Sequence, residues 1–142
     1  MSTLRGAIDA SASALNAQRA RIEVAVSNIA NAESTRGPDG QPYRRRDIVL
    51  ATEPVESFDQ ALGRAGASGV RVASVVEDTE PFRRHYEPSH PDADAEGYVA
   101  MPNVDVPEEM VNMLGAARAY QANLTAIGLI RDTIQRALEL GR

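Results

Sequence analysis

The residues of this chain that could bind a metal are gathered in one short stretch. The two histidines, His85 and His90, lie close to the carboxylates Asp92, Asp94 and Glu96. Imidazole and carboxylate groups are common ligands of Zn²⁺, and carboxylates bind Ca²⁺. The spacing, however, matches no zinc pattern, and the glycine and terminal glutamate of a calcium loop are missing. We therefore interpret the stretch as a solvated acidic loop and expect no metal site.

Nucleophilic and cofactor chemistry have little support in the sequence. There is no cysteine, which excludes thiol nucleophiles, cysteine metal sites and disulfides. No serine lies in a nucleophile-elbow pattern, and no glycine-rich phosphate loop follows a predicted strand. We expect no catalytic or cofactor-binding residues, no cofactor and no small-molecule substrate.

Three consecutive arginines, Arg44 to Arg46, form a candidate anion site, because a guanidinium pairs with phosphate or carboxylate through parallel hydrogen bonds. The formal net charge of the chain is −5. A duplex nucleic-acid binder normally has a basic face, so no nucleic-acid partner is expected. In a chain this acidic, the arginines are predicted to pair with carboxylates of a neighbour.

Two long helices are predicted at the two ends of the chain, over residues 4–31 and 106–140. In the first, an isoleucine or leucine recurs at every seventh position, which is typical of a coiled-coil stripe. Small or polar residues, Leu4 apart, fill the intervening seam: Leu4, Ser11, Gln18, Ala25 and Ala32. The two stripes predict a helix-packing or assembly interface of Ile8, Leu15, Ile22, Ile29, Met110, Met113, Tyr120, Leu124, Ile127, Ile134 and Leu138.

The end of the first helix is predicted at Asn31, since asparagine tolerates the left-handed conformation that ends many helices. A turn follows at Pro38-Asp39-Gly40, whose residue types favour turns. Acidic residues at positions 105, 108 and 109 favour the start of the second helix.

The segment between the helices is predicted to hold short strands. Residues 47–52 and 69–78 are rich in β-branched side chains, and a shorter strand is predicted within 97–101. Residues 57–69 are interpreted as a loop. Residues 82–105 are kept extended by the prolines within and beside them, Pro81, Pro88, Pro91, Pro102 and Pro107. We expect this arm to lie against neighbouring subunits, with its acidic run 92–96 facing Arg44–Arg46 of another copy.

The predicted fold is mainly α with a small β-rich insert, divided into residues 1–32, 33–105 and 106–142. The long helices should form a coiled-coil-like antiparallel pair, although an ordinary helical hairpin capped by strands stays possible on pattern alone. Aromatic residues make up only 4% of the chain, so burial against neighbours is favoured over a self-sufficient core. No segment has the roughly 20 apolar residues of a membrane helix, and no signal-peptide core is evident.

Three segments of the chain resemble the bacterial flagellar axial proteins, the rod and hook group, and within that group the proximal rod subunits. The segments are SNIANAEST, RGPDGQPYRRRDIVL and YEPSHPDADAEGYVAMPNVDVPEEMVNMLGAARAYQANLTAI. The likeness runs from about residue 14 to residue 140. The residues that carry it are Ser27, Asn28, Asn31, Met101, Pro102, Asn103, Asp105, Tyr120, Gln121 and Asn123.

The resemblance implies a structural subunit of the flagellar basal body, whose terminal helices form the inner layer of a hollow drive shaft that transmits torque. It implies as partners other copies of the chain and other rod proteins, with the export gate and the membrane-ring base as further candidates. It also implies export by the flagellar type III apparatus without a cleaved signal, and a place in the rod within the periplasm. Asn28 and Asn31 would bond backbone groups freed at the helix end. The competing hypothesis is a soluble helical adaptor with one discrete partner.

Overall fold

The computed structural model describes residues 2–54 and 68–141. Two long helices flank four short strands along the chain, which confirms the predicted fold class. The elements are α1 (Ser2–Ala30), β1 (Arg46–Pro54), β2 (Ser68–Glu77), β3 (Arg83–Tyr86), β4 (Tyr98–Met101) and α2 (Val106–Leu140). No helix among the described residues has the length and apolar character needed to cross a membrane.

Helix α2 begins where the sequence predicts, behind Asp105. The Asp105 carboxylate accepts a hydrogen bond from the backbone N–H of Glu108 at 3.2 Å, as an N-cap residue does. Pro107 occupies the first turn, where its missing N–H costs nothing. Glu108 and Glu109 add negative charge at the positive end of the helix dipole.

Helix α1 ends by a different device from the predicted one. No described residue other than glycine has a positive φ, so Asn31 is not left-handed. Instead its side-chain Nδ2 donates to the carbonyl oxygen of Ser27 at 2.8 Å. The same carbonyl already accepts the backbone N–H of Asn31 at 3.1 Å. The Asn31 amide therefore adds a second bond to a carbonyl of the last turn, without the predicted backbone conformation.

Small residues occupy the most buried row of α1. Ala17 and Ala25, with Ala32 just after the helix, are buried, whereas the four large residues of the predicted stripe are only half-buried. Alanine packs closest because it has no side chain beyond Cβ, and the larger residues then lie along the edges of the row. Half-buried in the isolated chain are Ile8, Leu15, Ile22 and Ile29.

The least exposed row of α2 coincides with only half of the predicted stripe. Glu109 and Ala116 are buried. The half-buried members that were predicted are Met113, Tyr120, Ile127 and Ile134. The other predicted members, Met110, Leu124 and Leu138, are exposed. The least exposed row of α2 is thus centred on Glu109 and Ala116 rather than on Met110 and Leu124. Glu109 makes the polar contacts described below.

The strands form two separate two-stranded ribbons, β1 with β2 and β3 with β4. The second ribbon is antiparallel and pairs Arg83 with Met101 and Tyr86 with Tyr98. The sequence predicts β1, β2 and β4 but not β3. Residues 57–67 of the predicted loop lie outside the described residues.

The expectation that the arm 82–105 packs little on its own chain is wrong. Val99 and Val104 are 1% and 0% exposed, and Pro102 and Asn103 are also buried. The arm folds back as the β3–β4 ribbon because strand pairing satisfies the backbone groups that an extended chain would leave unpaired.

Ser13 of α1 holds the start of β2. Its Oγ donates to the Ala10 carbonyl at 2.7 Å and accepts from the backbone N–H of Val70 at 3.0 Å. A Cβ on Gly69 would lie only 2.8 Å from this Oγ. A side chain at position 69 would therefore force the Ser13 hydroxyl to move away from the strand.

The contacts among the described residues divide the chain into two compact units, and each takes part of both helices. One unit comprises Arg21–Ile48 and Val75–Leu114, and the other takes the remaining stretches. The first of these contains the largest fully buried side chains: Val99, Val104, Asn28 and Pro102.

Candidate assembly interface

Asn28 lies at the centre of a buried polar cluster at the end of α1. Its Nδ2 donates to the Arg46 carbonyl at 2.8 Å and to Glu109 Oε2 at 3.0 Å. Its Oδ1 accepts from Tyr43 Oη at 2.9 Å and from the Arg46 N–H at 3.0 Å. An asparagine amide has two donors and two acceptor positions, so all four are used. Asn28 therefore joins α1, the loop before β1, and α2, rather than capping its own helix.

Glu109 of α2 connects this amide to Arg45. Its Oε2 accepts from Asn28, and its Oε1 accepts from Arg45 Nε at 2.7 Å. The Glu109 side chain is 3% exposed and that of Arg45 is 17% exposed. A buried carboxylate is tolerated when its charge is paired and both oxygens are bonded, as they are here. We call Asn28, Arg45, Arg46 and Glu109 the polar junction.

Asp78 adds a second carboxylate to Arg45. Arg45 Nη1 lies 3.2 Å from Asp78 Oδ2, and the Asp78 N–H donates to the Arg45 carbonyl at 2.8 Å. Burial acts to lower the pKa of Arg45, but the hydrogen bond and charge of Glu109, with Asp78 and Asp47, outweigh it and raise that pKa. The Glu80 N–H and the Arg45 charge outweigh burial and lower the pKa of Asp78. Both groups are thus held in their charged forms.

The other two arginines of the run have different partners. Arg46 Nη2 lies 3.6 Å from Glu77 Oε1. Arg44 Nη1 donates to the carbonyls of Asp78 and Glu80 at 3.0 and 3.1 Å, and its guanidinium lies 4.3 Å from the Phe82 ring centre. The predicted carboxylate partners are therefore present for Arg45 and Arg46, but they belong to the same chain.

Asn103 fixes the chain just before α2. Its Oδ1 accepts from the Arg45 N–H at 2.9 Å, and its Nδ2 donates to the Glu80 carbonyl at 3.3 Å. Asn28 and Asn103 thus bond to the backbone of two adjacent residues, Arg46 and Arg45. The structure gathers these two residues of the flagellar resemblance around the junction, although they are far apart in sequence.

The remaining residues of that resemblance lie at several places. Ser27 Oγ approaches Tyr43 Oη at 3.4 Å, and Pro102 is buried beside Asn103. Asn123 Nδ2 donates to the Ala119 carbonyl within α2 at 2.9 Å. Tyr120 and Met101 are half-buried, while Gln121 and Asp105 are exposed. Of these residues, Ser27 is linked to the junction through Tyr43.

The acidic run has partners within its own chain, and its predicted pairing with Arg44–Arg46 of another copy stays a prediction. Asp92 Oδ2 accepts from Thr35 Oγ1 at 2.9 Å, and its other oxygen lies 3.4 Å from Arg36 Nη1. Asp94 Oδ2 accepts from Arg84 Nη2 at 2.8 Å. The backbone N–H of Tyr98, opposed by burial and assisted by Arg84, lowers the pKa of Asp94.

The structure does not bring the two histidines together with these carboxylate groups in a metal site. His85 is exposed on β3, and His90 Nδ1 accepts the Asp92 N–H at 3.1 Å. Within residues 2–54 and 68–141, no three histidine, cysteine, aspartate or glutamate side chains are grouped so as to hold a metal ion.

Helix α2 exposes large apolar side chains on more than one side. Met110 and Leu124, at 50% and 47% exposed, belong to the predicted stripe. Val111 and Leu129, at 69% and 63% exposed, are about five helical turns apart and so lie together on another side. A helix that is apolar on several sides is normally buried on several sides. These exposed residues are the candidate assembly interface.

Comparison with known proteins gives consistent matches over nearly the whole chain. A family model described as "Flagella basal body rod protein" matches residues 8–38, and one described as "Flagellar basal body rod FlgEFG protein C-terminal" matches residues 95–140. The chain is 48% identical over 134 residues to the flagellar basal-body rod protein FlgC of Salmonella typhimurium, covering 94% of this chain and 95% of that protein.

Two relatives of lower identity come from other bacteria. The FlgC of Bacillus subtilis is 42% identical over 146 residues, covering 95% of this chain and 96% of the relative. That of Borreliella burgdorferi is 40% identical over 151 residues, covering 96% and 97%. The regions matched by the two family models include Asn28 and Glu109, the two members of the polar junction that lie in helices.

Proposed function

The chain belongs to the FlgC family of flagellar basal-body rod proteins, and we propose that its two terminal helices build the wall of the rod. It is a structural subunit of the basal body rather than an enzyme. In this proposal residues 1–32 and 106–142 form the inner layer of a hollow drive shaft, and residues 33–105 lie outside it. The partners of the helices are other copies of the chain and other rod proteins.

The exposed apolar side chains of α2 are the observation that carries this proposal. They include Met110, Leu124 and Leu138 of the predicted stripe, and Val111 and Leu129 on another side. Removing apolar surface from water stabilises an assembly by about 25 cal/mol per Å². A helix surrounded by neighbours is stabilised by burial of apolar surface on every side, whereas a helix in a simple hairpin is stabilised in this way on one side only. The predicted interface residues of both helices are proposed to be buried in the rod.

Replacement of one exposed apolar residue by a charge tests the proposal. We expect Leu124→Glu to abolish or strongly reduce motility when it replaces the native copy in cells, because the rod would bury an unpaired carboxylate. The isolated variant should keep the circular dichroism spectrum and solubility of the native chain, since Leu124 is 47% exposed there.

Gln135→Glu is the matched control, because it adds the same charge to an exposed position of α2 that is already polar. We expect it to retain far more motility. Basal bodies purified from the Gln135→Glu strain should contain rods. Those from the Leu124→Glu strain should contain none. Normal rods and full motility in the Leu124→Glu strain would contradict the proposal.

The route and position of the subunit are proposed from its family. We propose that it leaves the cytoplasm through the flagellar type III apparatus without a cleaved signal and occupies the rod within the periplasm. The export gate and the membrane-ring base are proposed as its neighbours at one end. Mass spectrometry of the subunit from purified basal bodies should find the N-terminal residues still present, and loss of the export apparatus should leave the chain in the cytoplasm. Family membership decides against the soluble adaptor hypothesis.

A further inference from the structure

We infer that the hydrogen bond between Asn28 and Glu109 is a register pin, a polar contact that fixes how far α2 is displaced along α1. The two residues are 0% and 2% exposed, and their side chains are joined by a hydrogen bond of 3.0 Å. They connect the last turns of α1 to the first turn of α2. Each side chain is also bonded to an element outside the two helices, Asn28 to the Arg46 backbone and Glu109 to Arg45.

The residues around Asn28 show why a pin is needed. Ala25 and Ala32 lie three positions before it and four after it, so they share its face of the chain. Ala116 lies one heptad after Glu109 and is also buried. Alanines on a packing row are interchangeable, so a row of alanines resists sliding poorly. In coiled coils, one buried polar residue among apolar ones is known to specify register.

The hydrogen bonds of the junction are complete only in the observed register. If α2 moved by one heptad, Ala116 would take the place of Glu109 beside Asn28. Asn28 would lose an acceptor, and Glu109 would lose the donors that Asn28 and Arg45 supply to its two oxygens. Buried polar groups without partners are costly, so the shifted arrangement is excluded by these few atoms.

The consequence for assembly rests on the proposed function. A slide of one heptad moves α2 by about 10 Å along α1. Met110 and Leu124 would then meet neighbours at the wrong height relative to the side chains of α1. The junction thus selects which combination of helix surfaces the rod subunit presents.

The absence of cysteine allows a direct test on the full chain. Cysteines introduced at Val26 and Val111, both exposed, can carry spin labels, and pulsed electron paramagnetic resonance on the dilute chain then measures the distance between them. We expect one distance in the otherwise native chain. In the pair Asn28→Leu with Glu109→Leu, which removes the polar requirement, we expect a second distance, because a heptad slide displaces the labels by about 10 Å along the helices.

The control is Asn123→Leu, which replaces a half-buried asparagine on the same row of α2. Its amide donates to the Ala119 carbonyl of its own helix at 2.9 Å, so this bond does not depend on the position of α1. The control should keep a single distance. A folded leucine pair that also keeps the single native distance would overturn the inference.

If the leucine pair does not fold, Glu109→Gln decides the question. In Glu109 the donors from Asn28 and Arg45 bond to different carboxylate oxygens. Glutamine conserves the volume but replaces one of these oxygens by an NH₂ group, so one of the two donors would face another donor. A shifted minor distance is expected, and its absence in the folded variant would overturn the pin. Since these distances are measured on the isolated chain, they do not depend on whether the rod proposal holds.

Discussion

Asp78 links the electrostatics of the junction to pH. Its pKa is held below the ordinary value by the Glu80 N–H and by Arg45, against the effect of burial. A carboxylate with a lowered pKa in the folded state contributes stability above the pKa of the unfolded chain, which is about 3.9 for aspartate. That contribution is lost as pH falls through the lower, folded-state pKa.

We therefore expect Asp78→Asn to lower the free energy of unfolding at pH 7. The variant should also lose less stability than the native chain as pH falls from about 4 to about 2. Urea unfolding at several pH values measures both effects. Asp132→Asn, at an exposed position of α2, is the control, and parallel curves for Asp78→Asn and the native chain would contradict the prediction.

Asn28 allows a comparison of two asparagines only three positions apart. Asn28→Ala removes four hydrogen bonds, one of them to the buried Glu109 carboxylate and two to the backbone of Arg46. We expect a loss of about 1–3 kcal/mol in the free energy of unfolding, and less for Asn31→Ala, which is half-buried and bonds its own helix. Equal losses for the two variants in denaturant unfolding would show that the bonds of Asn28 contribute no more to stability than the bond of Asn31 to its own helix.

At the scale of elements, the β3–β4 ribbon depends on a glycine. Gly97 has a φ of 85°, and a Cβ there would lie 3.0 Å from Tyr86 Cε2 and 3.1 Å from Pro88 Cγ. Tyr86 is itself held against Tyr98, with ring centres 5.2 Å apart. Any side chain at position 97 therefore meets both backbone strain and a crowded tyrosine.

Gly40 supplies the matched control, because it has a φ of 78° and a Cβ added there would have no neighbouring atom within 4 Å. Gly40→Ala should cost only the left-handed strain, about 1–2 kcal/mol. Gly97→Ala should cost more and should change the near-ultraviolet circular dichroism of the tyrosine pair. An equal cost, with an unchanged spectrum, would show that the contact with Tyr86 does not matter.

The elements differ in how well the sequence predicts them. The helices are predictable because their apolar residues recur with a helical period, and β1, β2 and β4 because β-branched or aromatic residues mark them. Strand β3 escapes prediction because Arg83–Tyr86 is polar and wholly exposed, and only its pairing with β4 makes it a strand.

The polar junction escapes prediction for a related reason. The sequence indicates for Glu109 only a charge at the start of a helix, and the fold alone shows that it is buried against Asn28, which is distant in sequence. One signal is present in the sequence: Asn28 stands between Ala25 and Ala32 on one face, and a polar residue there needs a partner.

At the scale of the whole molecule, the two units differ in what they bury. The unit with Arg21–Ile48 and Val75–Leu114 holds the large buried side chains Val99 and Val104. The buried hydrophobic residues identified in the other unit, Ala17 and Ala116, are small. Most helical stability comes from burying an apolar face, so the stretches of α1 and α2 in that second unit have little of their own.

We accordingly expect amide hydrogen exchange on the dilute chain to be fast over residues 7–20 and 115–138. Residues 21–30 and 106–114 should exchange more slowly, because they belong to the unit with the larger buried side chains. In assembled rods both helices should be protected along their length. Strong protection of all these residues at low concentration would show that the helices fold alone, and folding would then not be coupled to assembly.

The contact between Ser13 and Gly69 restricts how the chain can evolve. A side chain at position 69 would collide with the serine hydroxyl, whose Oγ lies 2.8 Å from the position that a Cβ would take. Replacement of the serine by alanine would free that space but would leave the Val70 N–H without its acceptor. A side chain at position 69 therefore fits only if the serine hydroxyl rotates away, and that rotation would also remove the acceptor of the Val70 N–H.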